Sequence, residues 1–443
     1  MTWSNKVGRS LGLLPGRESL GPLILLLGSP IFVVAVLFRC LRHLDGSLLL
    51  LWNEWEREGL IASLMGHWPS WRNGYVWRLM LYFLMLQLGI LSLVPGRKVK
   101  GPVSPAGNIP VYKANGFQAF TISVCVFLAG AWAGFFQGGV LYDCLGEILA
   151  SSNLFALLFC CLLYVKGRWF PSSSDCGSSG NLVFDYFWGT ELYPRFFGFD
   201  VKQLTNCRLG MMFWPLFILS CLWKQAELYG TVSSGLAVNA ALQLVYISKF
   251  FAWESGYYST IDIMHDRAGF MLCWGCLVFL PCVYTSHTLY LVRHPVHLSP
   301  LTASSLLLLG LLFIWLNYDC DRQRMLFRQK LGAMKIWGRP AEYVEASYQT
   351  DAGAEKRSLL LISGYWGLAR HLNYVLEVAA AAAWTAPVLW AGGVSLAAFY
   401  VPYLALLLLD RAFRDDARCE SKYGEAWMEY CRRVPWRFVP YIF

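Results

Sequence analysis

The stretch GPLILLLGSPIFVVAVLFRC (21–40) carries no charge before Arg39, and its reading decides the fold class. The hydrocarbon core of a bilayer takes about 20 apolar residues as helix, and this run supplies them without a break. Outward from it, comparable apolar runs lie near 77–95, 117–134, 147–165, 209–223, 233–252, 268–292, 298–317, 374–390 and 393–409. The expectation is an all-α integral membrane protein with about ten transmembrane helices, the last two turned at Gly392-Gly393. Composition agrees, since 56% of the 443 residues are hydrophobic and 15% charged, against about 25% charged in soluble domains. Residues 1–20 are polar, with Lys6, Arg9 and Arg17, and read as a cytosolic tail ahead of one membrane domain at 21–443.

Charge tests the layout. With ten spans, one side of the membrane holds 29 Lys and Arg and the other holds 5. By the positive-inside rule both termini face the cytosol. The net charge of +9 therefore marks topology, and no nucleic-acid partner is expected. The 14 cysteines are scattered, many inside apolar runs, and read as reduced packing residues. The one large insertion, about 318–372, contains Glu342–Thr350, then Asp351-Ala352-Gly353-Ala354, then Ser358–Ser363, the pattern of a small cytosolic β-hairpin.

Ionisable groups at membrane depth are costly and mark functional sites. A first cluster runs from the sixth span toward the seventh: Tyr246, Lys249, Trp253, Glu254, Tyr257, Tyr258, Asp262, His265 and Asp266. If helical, Asp262, His265 and Asp266 share one face. An ammonium three residues from Tyr246 would ease loss of its phenol proton. This cluster reads as a polar pocket lining, as solvated charges at the interface, or as half of a metal site. No second Asp-x-x-His motif completes the last, and no metal is expected.

A second cluster lies in the insertion and tail. It holds Asp319, Asp321, Arg322, Arg324 and Arg328, then Trp366, Arg370, His371, Asn373 and Tyr374. Arg411, Arg414, Asp415, Arg418, Cys419, Lys422, Tyr423 and Tyr430 follow, several at helical spacing. A basic face against anionic lipid is one reading. The other is a dinucleotide site, because cations suit phosphates, aromatics stack, and Asp and Asn serve hydroxyl and amide groups. No G-x-G-x-x-G follows a strand and no P-loop occurs, so such a site lies outside those frames.

At these residues the chain resembles the sterol reductases. The matching stretches are GPVSPAGNIPVYKANG (101–116), GTELYPR (189–195), FAWESGYYSTIDIMHDRAGF (251–270), NYDCDRQRMLFRQK (317–330), LLISGYWGLARHLNYV (359–375) and the tail at 410–443. DCDRQR (319–324), IWGR (336–339) and TIDIMHDRAGF (260–270) resemble the branch that reduces the C7–C8 double bond of 5,7-diene sterols. The resemblance implies NADPH held by the half at about 318–443. Its contacts would be Arg324, Arg328, Trp366, Arg370, His371, Asn373, Tyr374, Arg411, Asp415, Cys419, Lys422, Tyr423 and Tyr430. It also implies an endoplasmic reticulum membrane, a sterol substrate, surrounding lipid, and other enzymes of sterol biosynthesis as neighbours.

The chemistry implied is protonation of the ring alkene followed by hydride transfer. Tyr246 is the expected acid, with Glu254, Asp262, His265 and Asp266 for proton relay or for the sterol 3-hydroxyl. Three rivals stand beside this reading. RHLNY (370–374) and KYGEAW (422–427) echo membrane methyltransferases, which lack the 251–270 and 317–330 motifs. A non-enzymatic sterol-binding scaffold and a C14-specific reductase are the others.

Overall fold

A computed structural model describes residues 19–349, 353, 355–392 and 396–442. The expected cytosolic tail lies almost wholly outside the described residues, as do Gly393 and most of the 350–354 turn. Among the described residues, nine helices are long and apolar enough to cross a membrane. They are α1 (Leu20–His43), α2 (Gly74–Leu93), α4 (Leu145–Trp169), α5 (Gln203–Tyr229), α6 (Ser234–Ala252), α7 (Phe270–Arg293), α8 (Pro300–Gln329), α9 (Leu372–Ala391) and α10 (Leu396–Tyr423). A shorter apolar helix, α3 (Gly116–Trp132), makes the tenth. All ten expected spans are thus helices, and the chain is an all-α integral membrane protein.

Local chemistry sets several boundaries. Ser299 caps α8 by accepting from the Thr302 amide at 3.1 Å, with Pro300 as first helical residue. Asn73 and Ser233 cap α2 and α6 in the same way. α5 stops at Gly230, whose φ of +75° suits glycine.

Two helices run well past their apolar stretches. α8 continues to 329 where hydropathy ends near 317, and α10 continues to 423 where it ends near 409. Charges end a hydropathy signal without ending a helix. Here they support it through i,i+3 and i,i+4 pairs, Arg322–Asp319 at 2.7 Å on α8 and Arg414–Asp410 at 2.9 Å on α10.

α6 stands at the centre of the bundle, packed on α3, α5, α7, α8 and α9. The connection from α6 to α7 is broken into short pieces, Glu254–Tyr257 and Ile261–Met264. His265 leaves helical geometry at φ −131°, so Asp262, His265 and Asp266 do not share a helix face as expected. Two glycines show why the stretches at 189–195 and 251–270 meet. Gly189 and Gly269 touch backbone to backbone, and a Cβ on Gly269 would lie 2.4 Å from the Gly189 nitrogen.

Among the described residues, four two-stranded antiparallel sheets decorate the bundle. Strands β1 (Arg97–Lys100) and β2 (Val111–Ala114) form one. The hairpin expected in the insertion is β3 (Tyr343–Gln349) paired with β4 (Glu355–Leu361), in register from Tyr343↔Leu361 to Gln349↔Glu355. No disulfide forms among the described residues. The hairpin packs on the protruding part of α10 and on α11 (Glu425–Arg433), where Ala346, Leu360, Cys419, Trp427 and Tyr430 make a small core.

Candidate active site

The site is built outward from α6. Asn239 and Gln243 lie one turn apart, buried and fully engaged. Gln243 receives the Trp214 indole at 2.8 Å and donates to Asn239 Oδ1 at 2.7 Å, and Asn239 donates to the Trp384 carbonyl at 2.7 Å. Satisfied polar groups in a dry interior fix helix register, and these lock α5, α6 and α9 together. One turn further along stands Tyr246.

The Tyr246 phenol donates to the Glu377 carboxylate on α9 in a very short hydrogen bond. Its ring has Trp384 at 5.2 Å and Trp214 at 6.0 Å, and the Lys249 ammonium lies 4.7 Å from its centroid. Tyr246, Glu377, Tyr284 and Tyr403 all sit between helices yet remain only half-buried, so they line an internal space. Trp214, Tyr284, Trp384 and Tyr400 form an aromatic cage around it, with Tyr284–Tyr400 at 4.8 Å.

From Lys249 a chain of hydrogen bonds leads out toward the protruding end of α8. Lys249 donates to Asn317 Oδ1 at 2.7 Å, and Asn317 donates to the Asn373 carbonyl at 2.9 Å. Asn373 donates to Asp321 Oδ1 at 3.1 Å, and Asp321 lies 3.5 Å from Arg324. The membrane-depth cluster and the second cluster are therefore one connected site.

In that second cluster the Arg324 guanidinium stacks 3.8 Å above Trp366, whose indole donates to the Cys320 carbonyl at 2.9 Å. His371 stacks on Tyr374 at 5.0 Å. The C-terminal tail holds this turn, since the amides of Arg370 and His371 donate to the carbonyls of Trp436 and Arg437 at 3.0 and 2.8 Å. On α10, Arg418 donates to Asp415 at 3.0 Å, and Lys422 sits 3.8 Å over Tyr348 and 5.2 Å from Tyr423. Arg328 is exposed and within electrostatic range of Arg324, Arg418 and Tyr423. Burial pushes the Tyr430 phenol up, and Tyr430 stacks on Trp427 at 4.9 Å.

The expected cofactor residues thus gather in one region, with Cys419 and Tyr430 packed in its floor. Arg411 stands at its edge, in a very short ion pair with Asp262 and within electrostatic range of Tyr374. Four cations, Arg324, Arg328, Arg418 and Lys422, face Asp415 and Asp321 as counter-charges. Arg370 Nε and Asn373 Oδ1 are buried there without a hydrogen-bond partner. Excess cations, stacking rings and an unpaired donor and acceptor together fit a polyanionic ligand with amide or hydroxyl groups.

The other expected catalytic residues are placed differently from Tyr246. Glu254 pairs with Arg208, both buried, and Arg208 also donates to Asn115 Oδ1 at 2.8 Å. Asp266 pairs with Arg414 at 2.8 Å and lies 3.3 Å from His265. Asp262 and Asp266 thus join the α6–α7 connection to Arg411 and Arg414 of α10. Lys202, buried just ahead of α5, holds the same segment by donating to the carbonyls of Asp262, Ile263 and Asp266 at 2.7–2.9 Å. Burial lowers the Lys202 ammonium to about 8, against the raising influence of Asp200 and Asp266.

Sequence reasoning missed Glu377, Asn317, Arg208 and Lys202 as site residues. Glu377 carried one signal, a lone carboxylate in the apolar run LNYVLEVAAAAAW (372–384). Away from the site, Glu54, Glu58 and His67 gather closely, but Glu54 already accepts from Arg39 at 2.9 Å and from Ser63 at 2.7 Å.

Comparison with known proteins bears on this arrangement. A profile of the ergosterol biosynthesis ERG4/ERG24 family matches residues 25–443. The chain is 47% identical to a 7-dehydrocholesterol reductase of Arabidopsis thaliana over 95% of its length and 96% of that protein. It is 39% identical to a 7-dehydrocholesterol reductase of Xenopus laevis, covering 80% of this chain and 75% of that one. It is also 36% identical to a Delta(14)-sterol reductase of Methylotuvimicrobium alcaliphilum, covering 81% of each.

Proposed function

Since the chain belongs to the ergosterol biosynthesis ERG4/ERG24 family, and so is a sterol reductase, we propose that it reduces the C7–C8 double bond of 5,7-diene sterols with NADPH. The observation that carries the reading is the phenol of Tyr246 bound to Glu377 inside an aromatic cage, joined by hydrogen bonds to the cation cluster. Similarity over nearly the full length of the Arabidopsis thaliana 7-dehydrocholesterol reductase favours the C7–C8 bond.

A ring alkene is electron-rich, so an acid must act before a hydride. Protonating C8 of a 5,7-diene gives an allyl cation over C5, C6 and C7, and hydride at C7 leaves the 5,6 double bond. Tyr246 is the acid: its proton passes to C8, and Glu377 beside it, when it carries a proton, reprotonates the phenolate left behind. Positioned acids contribute about 10²–10⁴-fold. The faces of Trp214, Trp384 and Tyr400 suit a transient cation and exclude water. NADPH would supply the hydride, held by Arg324, Arg328, Arg418 and Lys422 through phosphates and by Trp366, Asn373 and Tyr374 through its rings and amide. Asp262, His265, Asp266 and Glu254 brace the α6–α7 connection over this space, and Arg411 is shared between Asp262 and the cofactor region. The protein resides in the endoplasmic reticulum membrane with both termini cytosolic.

A second reading, C14 reduction, is favoured by the similarity to the Methylotuvimicrobium alcaliphilum protein. Microsomes expressing the chain, given NADPH with a 5,7-diene and an 8,14-diene sterol in parallel, decide between them. Loss of the 5,7-diene absorbance with a 5-ene product is expected. Turnover of the 8,14-diene alone would replace the C7–C8 assignment.

A further inference from the structure

The hydrogen-bond chain that leaves Lys249 beside Tyr246 reaches Asn373 through Asn317. A hydride donor serving the same substrate as Tyr246 therefore sits at the Asn373 and Tyr374 end of the cation cluster. From Arg411, within electrostatic range of Tyr374, to Lys422 the helix α10 rises about 16 Å. An extended dinucleotide covers that length. Its adenosine then falls at the tip of α10, where the β3–β4 hairpin packs.

Side chains alternate between the two faces of a strand, and cross-strand partners share a face. The face carrying Ala346 and Leu360 packs on α10 and α11. The register Ala346↔Ser358 and Tyr348↔Lys356 puts Ser358, Tyr348 and Lys356 on that same face, beyond the small core. There the Tyr423 hydroxyl donates to Ser358 Oγ at 3.4 Å, and Tyr348 meets Tyr423 edge-on at 5.7 Å. The Lys422 ammonium lies 3.8 Å over the half-buried Tyr348 ring, and Lys356 is exposed. Among the described residues neither lysine has an ion-pair partner. Arg328 and Arg418 stand within electrostatic range of Lys422, and Asp415 is taken up by Arg418. Like charges gathered this closely repel unless an anion joins them.

We propose that the β3–β4 hairpin completes the cofactor site at its adenosine end, where Tyr348 stacks on the adenine and Lys356, together with Lys422, takes the 2′-phosphate. Lys422 exchanges the ring for the phosphate as the base arrives, because a charge-assisted bond outweighs an exposed contact with an aromatic face. The hairpin, and not the helices alone, thereby decides between NADPH and NADH. The inference rests on the NADPH reading above.

The test uses the full chain in nanodiscs and measures binding of NADPH, NADH and adenosine 2′,5′-bisphosphate by titration calorimetry, without turnover. Lys356→Gln should weaken NADPH and the bisphosphate about 10-fold or more, the loss of one charge-assisted contact, and leave NADH unchanged. Arg357→Gln removes the same charge from the opposite face of the hairpin and should change none of the three. Tyr348→Ala should weaken all three about 5–100-fold, the range of one base–aromatic stack, and Tyr348→Phe should restore them. Because Lys356 is exposed, its replacement leaves the fold intact. NADPH affinity equal in the parent, Lys356→Gln and Tyr348→Ala would overturn the hairpin's role while sustaining the cofactor reading. A Lys356→Gln loss equal for NADH and NADPH would overturn the 2′-phosphate assignment. A parent chain that binds neither NADPH nor the bisphosphate would remove the cofactor reading and the hairpin's role with it.

Discussion

Tyr246 and Glu377, 131 residues apart, share one proton-bearing contact where α6 meets α9. Both are half-buried at membrane depth. A carboxylate there has a use as a proton partner for the phenol, since packing alone would be better served by an apolar side chain.

Removing the phenol should therefore abolish most chemistry with little effect on binding. Tyr246→Phe is expected to lower kcat about 100-fold or more with the sterol KM nearly unchanged. Glu377→Gln keeps a hydrogen-bond partner for the phenol but has no proton to pass to the phenolate, and it should lower kcat in the same way. Product formation followed by gas chromatography checks both. Near-wild-type kcat in Tyr246→Phe would remove it as the acid.

The cation cluster predicts the cofactor response. Losing one charge-assisted contact costs about 1.5–3 kcal/mol, so Lys422→Ala and Arg418→Ala should raise the KM for NADPH by roughly 10-fold or more. The penalty should be greater for whichever residue meets the 2′-phosphate, and that variant should bind NADH as well as the parent does. Titration of tryptophan fluorescence, with Trp366 beneath Arg324 as reporter, reads this directly.

Acid should loosen the α6–α7 connection. Burial pushes the Asp266 carboxyl up, but Arg414 and His265 outweigh it and hold the group well below the ordinary carboxylate range. Its stabilisation is present above about pH 4 and is lost as pH falls further. Burial also lowers His265 below its ordinary 6.5, against the raising influence of Asp266. Protons then bind the unfolded chain first, so stability falls as pH drops below about 6.5. A thermal-unfolding series in detergent from pH 8 to about pH 2.5 should show both losses, and His265→Gln should remove the upper one and leave the part of the lower one that Arg414 sustains.

The Arg208–Glu254 pair should behave as a brace. Removing one partner leaves a buried charge unpaired and costs about 3–5 kcal/mol, so Arg208→Ala and Glu254→Ala should each lower the unfolding temperature sharply. Gly116→Ala tests the same place by crowding, because its Cβ would lie 2.7 Å from Glu254 Oε2. A Glu254→Ala protein of ordinary stability but no activity would instead give Glu254 a chemical role.

The bundle was legible because hydropathy reports directly on burial in lipid, and all ten runs proved helical. The β3–β4 hairpin followed from its turn residues. The full reach of α8 and α10 was not legible, since charged helix and charged loop look alike until Arg322–Asp319 and Arg414–Asp410 are seen to pair along the helix. The residues of the second cluster come together in the structure because they lie on the protruding ends of α8 and α10 and on the turn into α9, which pack side by side. The partners of Asp262, Asp266 and Glu254 are 149, 148 and 46 residues away, and no local spacing announces such contacts. Glu377 was visible as an anomaly, but only the approach of α9 to α6 gives it a partner.

The 17 residues of α3 have a further consequence. They span about 25 Å as helix, several ångströms less than a typical hydrocarbon core of ~30 Å. Lipid beside α3 must thin to meet it, at a fraction of a kcal/mol per ångström of mismatch. Sterol-rich bilayers are thicker, so the same short helix makes the protein progressively less at home as sterol accumulates around it. Bilayer thickness thereby becomes a sorting force that favours thin membranes for this chain.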